Sequence, residues 1–97
     1  MLVLSRAPGE ALLIGQSKLV VRRIAPTIGI VWSRPGLTRA FEFERKDLAR
    51  QPVIDFEGVQ VKLLRIEHSG LTLGIEAPRH IAVLRAEAKR QAPISNP

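Results

Sequence analysis

Apolar and polar positions alternate in short runs along most of the chain, and nearly every run ends at a turn former. Leu2 to Ala7 alternates Leu2, Leu4 and Arg6 against Val3 and Ser5, and stops at Pro8-Gly9. Glu10 to Ile14 is a second apolar run closed by Gly15, and Lys18 to Ile24 is a Val-rich third that stops before Pro26. Ile28 to Trp32 is β-branched, and Arg39 to Glu44 sets Phe41 and Phe43 against Ala40, Glu42 and Glu44. Val53 to Phe56, Val59 to Ile66, Leu71 to Ile75 and Ile81 to Leu84 complete the series. A period of two residues is the mark of half-buried strands. Two segments break it. Arg45 to Gln51 reads as a short helix ended by Pro52, and Arg85 to Gln91 is a run of good helix formers stopped near Pro93. The pattern therefore predicts an all-β fold with short helices.

The strands also repeat. Lys18 to Pro52 can be laid over Gln60 to Ala92, with Val21-Arg22-Arg23-Ile24 facing Leu63-Leu64-Arg65-Ile66 and Ile28 to Trp32 facing Leu71 to Ile75. In the same alignment Phe43-Glu44-Arg45 faces Val83-Leu84-Arg85. The expected organisation is one domain over residues 1–92, with repeat units 1–51 and 52–92, and a flexible tail over 93–97. At 97 residues a single small core is all the chain can build.

Charge narrows the choice of partner. The net charge is +6, and arginine supplies eleven of the fifteen basic residues. Guanidinium groups bind phosphates and base edges in bidentate fashion and stack on bases, so this balance points to nucleic acid. Four aromatic residues, Trp32, Phe41, Phe43 and Phe56, are too few for a surface that stacks successive bases on rings. Trp32 and the two Phe of 41 and 43 read instead as core.

Other chemistries find little support. Cysteine is absent, which removes disulfides and thiolate sites and suits a cytoplasmic location. The opening apolar run is too short for a signal peptide, and no stretch is long enough to span a bilayer. His68 and His80 fall in turns without a metal-ligand spacing or a nucleophile partner, so no enzyme, no metal and no cofactor is expected. The Pro-Gly pairs at 8–9 and 35–36 are turn signals and not phosphate loops.

Two segments carry a resemblance. MLVLSRAPGEALLIG at the start, and VQVKLLRIEHSGLTLGIEAPRHIAVLRAEAKRQ from Val59 onward, resemble the beginning and the remainder of the carbon storage regulator (CsrA/RsmA) family. The residues between them, Gln16 to Gly58, are extra relative to the usual member. The resemblance implies two packed CsrA-like antiparallel sheets in an interlocked β dimer, in which the first strand of one chain lies beside the last strand of the other. Each such pair would bind a GGA motif in an exposed loop of mRNA or small RNA, controlling translation or mRNA stability. Carried over, Leu4, Ser5 and Arg6 form the first-strand part of the RNA site, and Val83, Leu84 and Arg85 the last-strand part. Ala7, Leu84 and Ala86 stand where many members have polar side chains, which would weaken or retune binding.

Combined with the repeat, the resemblance implies that one chain holds both halves of the dimer. Arg45 would mark a second, degenerate site lacking a first strand. A monomeric pseudo-dimer is the favoured arrangement, and an ordinary homodimer with an insertion is the alternative. A second class of function also stands open: a diverged member acting as a protein-interaction module, a partner or antagonist of other regulators of this type.

Overall fold

The computed structural model describes residues 1–24, 26–67 and 70–87. Nine strands follow in chain order: β1 (Leu2–Arg6), β2 (Ala11–Ile14), β3 (Ser17–Arg23), β4 (Thr27–Arg34), β5 (Leu37–Glu44), β6 (Val53–Phe56), β7 (Val59–Glu67), β8 (Gly70–Glu76) and β9 (Val83–Arg85). A 3-10 helix, Arg45–Arg50, separates β5 from β6. The fold is all-β, as the alternation predicts, with two antiparallel sheets, as the resemblance implies. The last strand is shifted relative to the predicted Ile81 to Leu84. The Ile81 N–H closes a turn onto the Pro78 carbonyl (3.0 Å), so pairing begins only at Val83. Helical geometry starts at Ala86 and Glu87. The rest of the predicted Arg85 to Gln91 helix, the 93–97 tail and His68 lie outside the described residues.

One sheet has the order β1-β8-β7-β6, the other β5-β4-β3-β2-β9. The connectivity interlocks them. The first strand of the chain joins the sheet made by later strands, and the last strand joins the sheet made by earlier ones. Between the sheets lies one apolar core, with Leu12, Leu19, Val21, Ile28, Ile30 and Trp32 from one side and Val61, Leu63, Leu71 and Leu73 from the other all essentially inaccessible. The Trp32 ring packs on Phe56 of the opposite sheet with centroids 4.8 Å apart, so its role is packing. Phe41 and Phe43 are half-buried against the same core.

The two halves of the chain match in backbone detail at a spacing of 42 residues. A bulge falls between Val21 and Arg23 in β3 and between Leu63 and Arg65 in β7. The Val21 amide donates to the Glu10 carbonyl, and the Leu63 amide donates to the Pro52 carbonyl. Left-handed φ angles occur at Gly9 and Gln51, and again at Gly15 and Glu57. The last of these turns matters because a non-glycine residue held at φ 53° is uncommon. Repetition of such a feature goes beyond what two unrelated meanders share by composition.

The chain around β5 departs from the alignment that set Phe43-Glu44-Arg45 against Val83-Leu84-Arg85. The Pro35-Gly36 hairpin folds β5 back on β4, pairing Ile28 with Phe43 and Ile30 with Phe41. β9 lies on the opposite edge of that sheet, against β2. Since β4 corresponds to β8, β5 holds the place that β1 holds beside β8. Phe43 then stands where Arg6 stands, and Glu42 where Ser5 stands. The physical reason is local. A two-residue Pro-Gly turn leaves the chain no route but antiparallel return along the strand just completed.

Candidate nucleic-acid interface

The strand β1 is an edge. One side pairs with β8, from Leu2 opposite Ile75 to Arg6 opposite Leu71. β9 is likewise an edge of the other sheet, pairing Val83, Leu84 and Arg85 with Ile14, Leu13 and Leu12. The two strands belong to different sheets and are therefore not hydrogen-bonded neighbours. Side chains join them instead. The Arg6 guanidinium makes a bidentate pair with Glu87, just beyond β9: Nη1 donates to Oε1 at 2.8 Å and Nη2 to Oε2 at 2.9 Å. Its Nη1 also donates to the Ala11 carbonyl at 3.2 Å, and its Nε to the Ser5 carbonyl at 2.9 Å.

This clamp explains how a cation tolerates burial. Arg6 is 4 % exposed, and burial alone would disfavour its charge. The hydrogen bonds that Arg6 donates to Glu87 outweigh that cost and raise the Arg6 pKa, with Glu10 at 3.8 Å adding a weaker attraction. In return the Arg6 hydrogen bond holds the Glu87 carboxyl at about 2, well below the usual carboxylate range. Arg6 spends its donors inside the protein. It holds the two edges together, and the surface that an RNA would touch must come from other residues.

Those residues fall into two groups. Leu4 is buried in the core, whereas Ser5 faces outward, its hydroxyl 3.1 Å from that of Thr72. Thr72 in turn donates to Glu67 Oε1 at 2.6 Å, and Arg65 approaches the same carboxylate at 3.3 Å. On the other strand Val83 is half-buried, Leu84 is 44 % exposed, and Arg85 is exposed. Arg85 has no ion pair within 4 Å among the described residues. Its exposed guanidinium attracts the Glu87 carboxylate at longer range. A concavity of about 420 Å³ opens between the beginnings of β1 and β9, lined by Met1, Leu2, Ile75, Pro78, Ile81 and Val83 among others. Met1 packs over Gly74, where an added Cβ would come within 2.7 Å of the Met1 sulfur.

Arg45 does not occupy a comparable place. It opens the 3-10 helix, exposed, beside a shallow depression lined by Leu48, Leu64 and Ile66. The position related to the clamp is at Glu42 and Phe43. There Glu42 pairs with Arg23, whose stem lies over Gly29, so the local charges cancel. Sequence reasoning missed Glu87, although a buried arginine at the end of a strand demands a carboxylate. It also missed Glu67 and Thr72, which follow from the β1–β8 register and from nothing in the periodicity. His80 lies in an exposed turn, and no cluster of three metal-ligating side chains occurs among the described residues.

Residues 51–92 match the family model for CsrA, the global regulator protein family. Over those residues, somewhat under half of the chain, the sequence is similar to the CsrA family. The matched span takes in β6 to β9, Arg85 and Glu87, and leaves β1 to β5 outside it. No curated protein and no solved structure matches the chain. CsrA is a family of RNA-binding regulators and not of enzymes. No helix among the described residues is long and apolar enough to cross a membrane. The exposed Arg85 lies within the matched span, whereas the clamped β1 edge lies outside it. Unstacked loop bases can be read along their edges by strand backbone groups, with an arginine for phosphate or base.

Proposed function

We propose that this protein is a post-transcriptional regulator acting in the bacterial cytoplasm, a monomeric pseudo-dimer that binds GGA motifs in mRNA or small-RNA loops at one site. The observation carrying this reading is the Arg6–Glu87 clamp, which brings the β1 edge and the strand bearing Arg85 together within a single chain. The backbone correspondence at 42 residues supports an internal duplication, with units best divided as residues 1–34 and 37–87 in place of 1–51 and 52–92. On that division the second unit has its own first strand, β5. The missing element is a last strand for the first unit, because the Pro35-Gly36 hairpin runs directly into β5.

In this reading Arg85 and Ser5 face the RNA, Leu84 contributes an apolar contact, and Leu4, Val83 and Arg6 position the strands. The test is a gel shift with a hairpin that presents GGA in its loop. Wild type binds it in preference to a scrambled loop, with affinity falling as salt rises. Arg85→Ala loses about 1–3 kcal/mol, roughly tenfold or more. Equal binding of both loops by wild type and Arg85→Ala would sink the site, and would favour the protein-interaction module. Sedimentation at micromolar concentration gives one chain per particle; a stable two-chain dimer would count against the fusion.

A further inference from the structure

The two sheets differ by one strand, and the difference lies at a single edge. In the five-stranded sheet, β9 covers the outer side of β2. The corresponding strand of the other sheet is β6, related to β2 by the same 42-residue spacing: Ala11 pairs with Val20 as Val53 pairs with Lys62, and Ile14 with Ser17 as Phe56 with Val59. Among the described residues nothing pairs with the outer side of β6. Val53 is 48 % exposed there.

The side chains at this edge have a different character from those at β2. In the covered edge Leu84 of β9 sits opposite Leu13, apolar against apolar. The residue corresponding to Leu13 is Asp55, which is exposed and has no ion pair among the described residues. Asp55 continues into a row across the sheet, opposite Gln60, which is opposite Glu76, and both carboxylates line one groove. In a protein of net charge +6 the charged side chain that this open edge strand presents is an acid, Asp55, while Glu76, two strands in, is paired with Lys62 at 3.7 Å.

We propose that the outer edge of β6 takes up an extended, basic segment of a protein partner as a fifth strand. The geometry is that of β-augmentation, in which main-chain hydrogen bonds supply affinity and alternate side chains supply selectivity. Asp55 requires a lysine or arginine directly opposite, where β9 offers Leu84 to Leu13. Residues on the other face of the incoming strand are apolar and lie against Ile54 and Phe56, which are buried. The surface is separate from the RNA edge formed by β1 and β9, so the two partners need not compete.

The experiment uses the whole chain and two capped hexapeptides, one alternating Val and Lys, the other alternating Val and Glu. Amide hydrogen exchange of Val53–Phe56 slows with the lysine peptide and not with the glutamate peptide, while β1, β5 and β9 are unaffected. Asp55→Lys, at an exposed position that leaves the core intact, weakens the lysine peptide by about three- to tenfold and strengthens the glutamate peptide. Arg85→Ala leaves peptide protection unchanged, so failure of the RNA reading does not carry over. Absence of β6 protection, or equal protection by both peptides, overturns the proposal and makes Asp55 a guard against edge pairing. Association of copies through β6 without peptide overturns it as well.

Discussion

The β1–β9 corner and the β5–β6 corner are built on the same backbone plan and have opposite chemistry. At the first, Arg6 is buried and locked to Glu87, Ser5 is outside, and Arg85 is exposed on a paired last strand. At the second, Phe43 replaces Arg6, Glu42 replaces Ser5 and neutralises Arg23, and among the described residues no last strand pairs with the neighbouring edge of β6. A clamp, an outward hydroxyl and an exposed guanidinium go together. Where the last strand is missing, a buried arginine has no carboxylate to meet, and an apolar Phe43 is the stable substitute.

The largest contrast lies in the clamp itself. Arg6→Leu removes the donors that hold Glu87, Ala11 and Ser5 in place. Loss of these charge-assisted hydrogen bonds costs about 2–3 kcal/mol, which for a domain of this size is a fall in Tm of roughly 10–20 °C. Phe43→Leu, at the related position, is a hydrophobic exchange in a half-buried site and costs less than about 1.5 kcal/mol. Thermal unfolding followed by circular dichroism separates the two. Equal losses would mean that the corners are energetically alike and that the clamp is not what distinguishes them.

Much of this architecture was legible in the sequence because a two-residue alternation is a direct imprint of one buried sheet face. The strands from Val53–Phe56 to Gly70–Glu76 fall within a residue of their expected limits. Even the burial of Arg6 was written there: the alternation sets Leu2, Leu4 and Arg6 on one face, and Leu4 faces the core. The charge of Arg6 pulled the reading toward solvent, since its carboxylate partner lies 81 residues away. Pairing was the part that periodicity could not supply. The pattern of β5 says that it is a strand but not which neighbour it takes. The Pro35-Gly36 signal, read as a hairpin, would have corrected the alignment that paired Arg45 with Arg85.

A middle-sized effect distinguishes the corners by pH. Glu87 has its folded pKa depressed to about 2 by the Arg6 hydrogen bond. A depressed carboxylate contributes stability that is fully present above its unfolded value of 4.5 and is lost as pH falls through the folded value. Wild type therefore loses stability between pH 4.5 and 2 through this group. Glu87→Gln, which keeps an acceptor but cannot titrate, starts lower and shows a shallower decline over that window. Denaturant midpoints at stepped pH give the two curves. Parallel curves would remove the clamp from the acid sensitivity of the fold.

The smallest effect is expected at Glu42. Its pair with Arg23 is exposed on both sides, and such pairs contribute about 0–1 kcal/mol. Glu42→Ser therefore changes Tm by only a few degrees, even though it restores the residue found at Ser5. It also frees Arg23 and raises the net charge by one, which makes nonspecific RNA binding at low salt slightly tighter. GGA selectivity at that corner does not appear, because no last strand brings a second arginine to it. A hairpin titration of Glu42→Ser measuring stoichiometry decides: one RNA per chain keeps the corners distinct. Two specific RNAs per chain would show that the first strand alone makes a site, and that Arg85 and its clamp are dispensable.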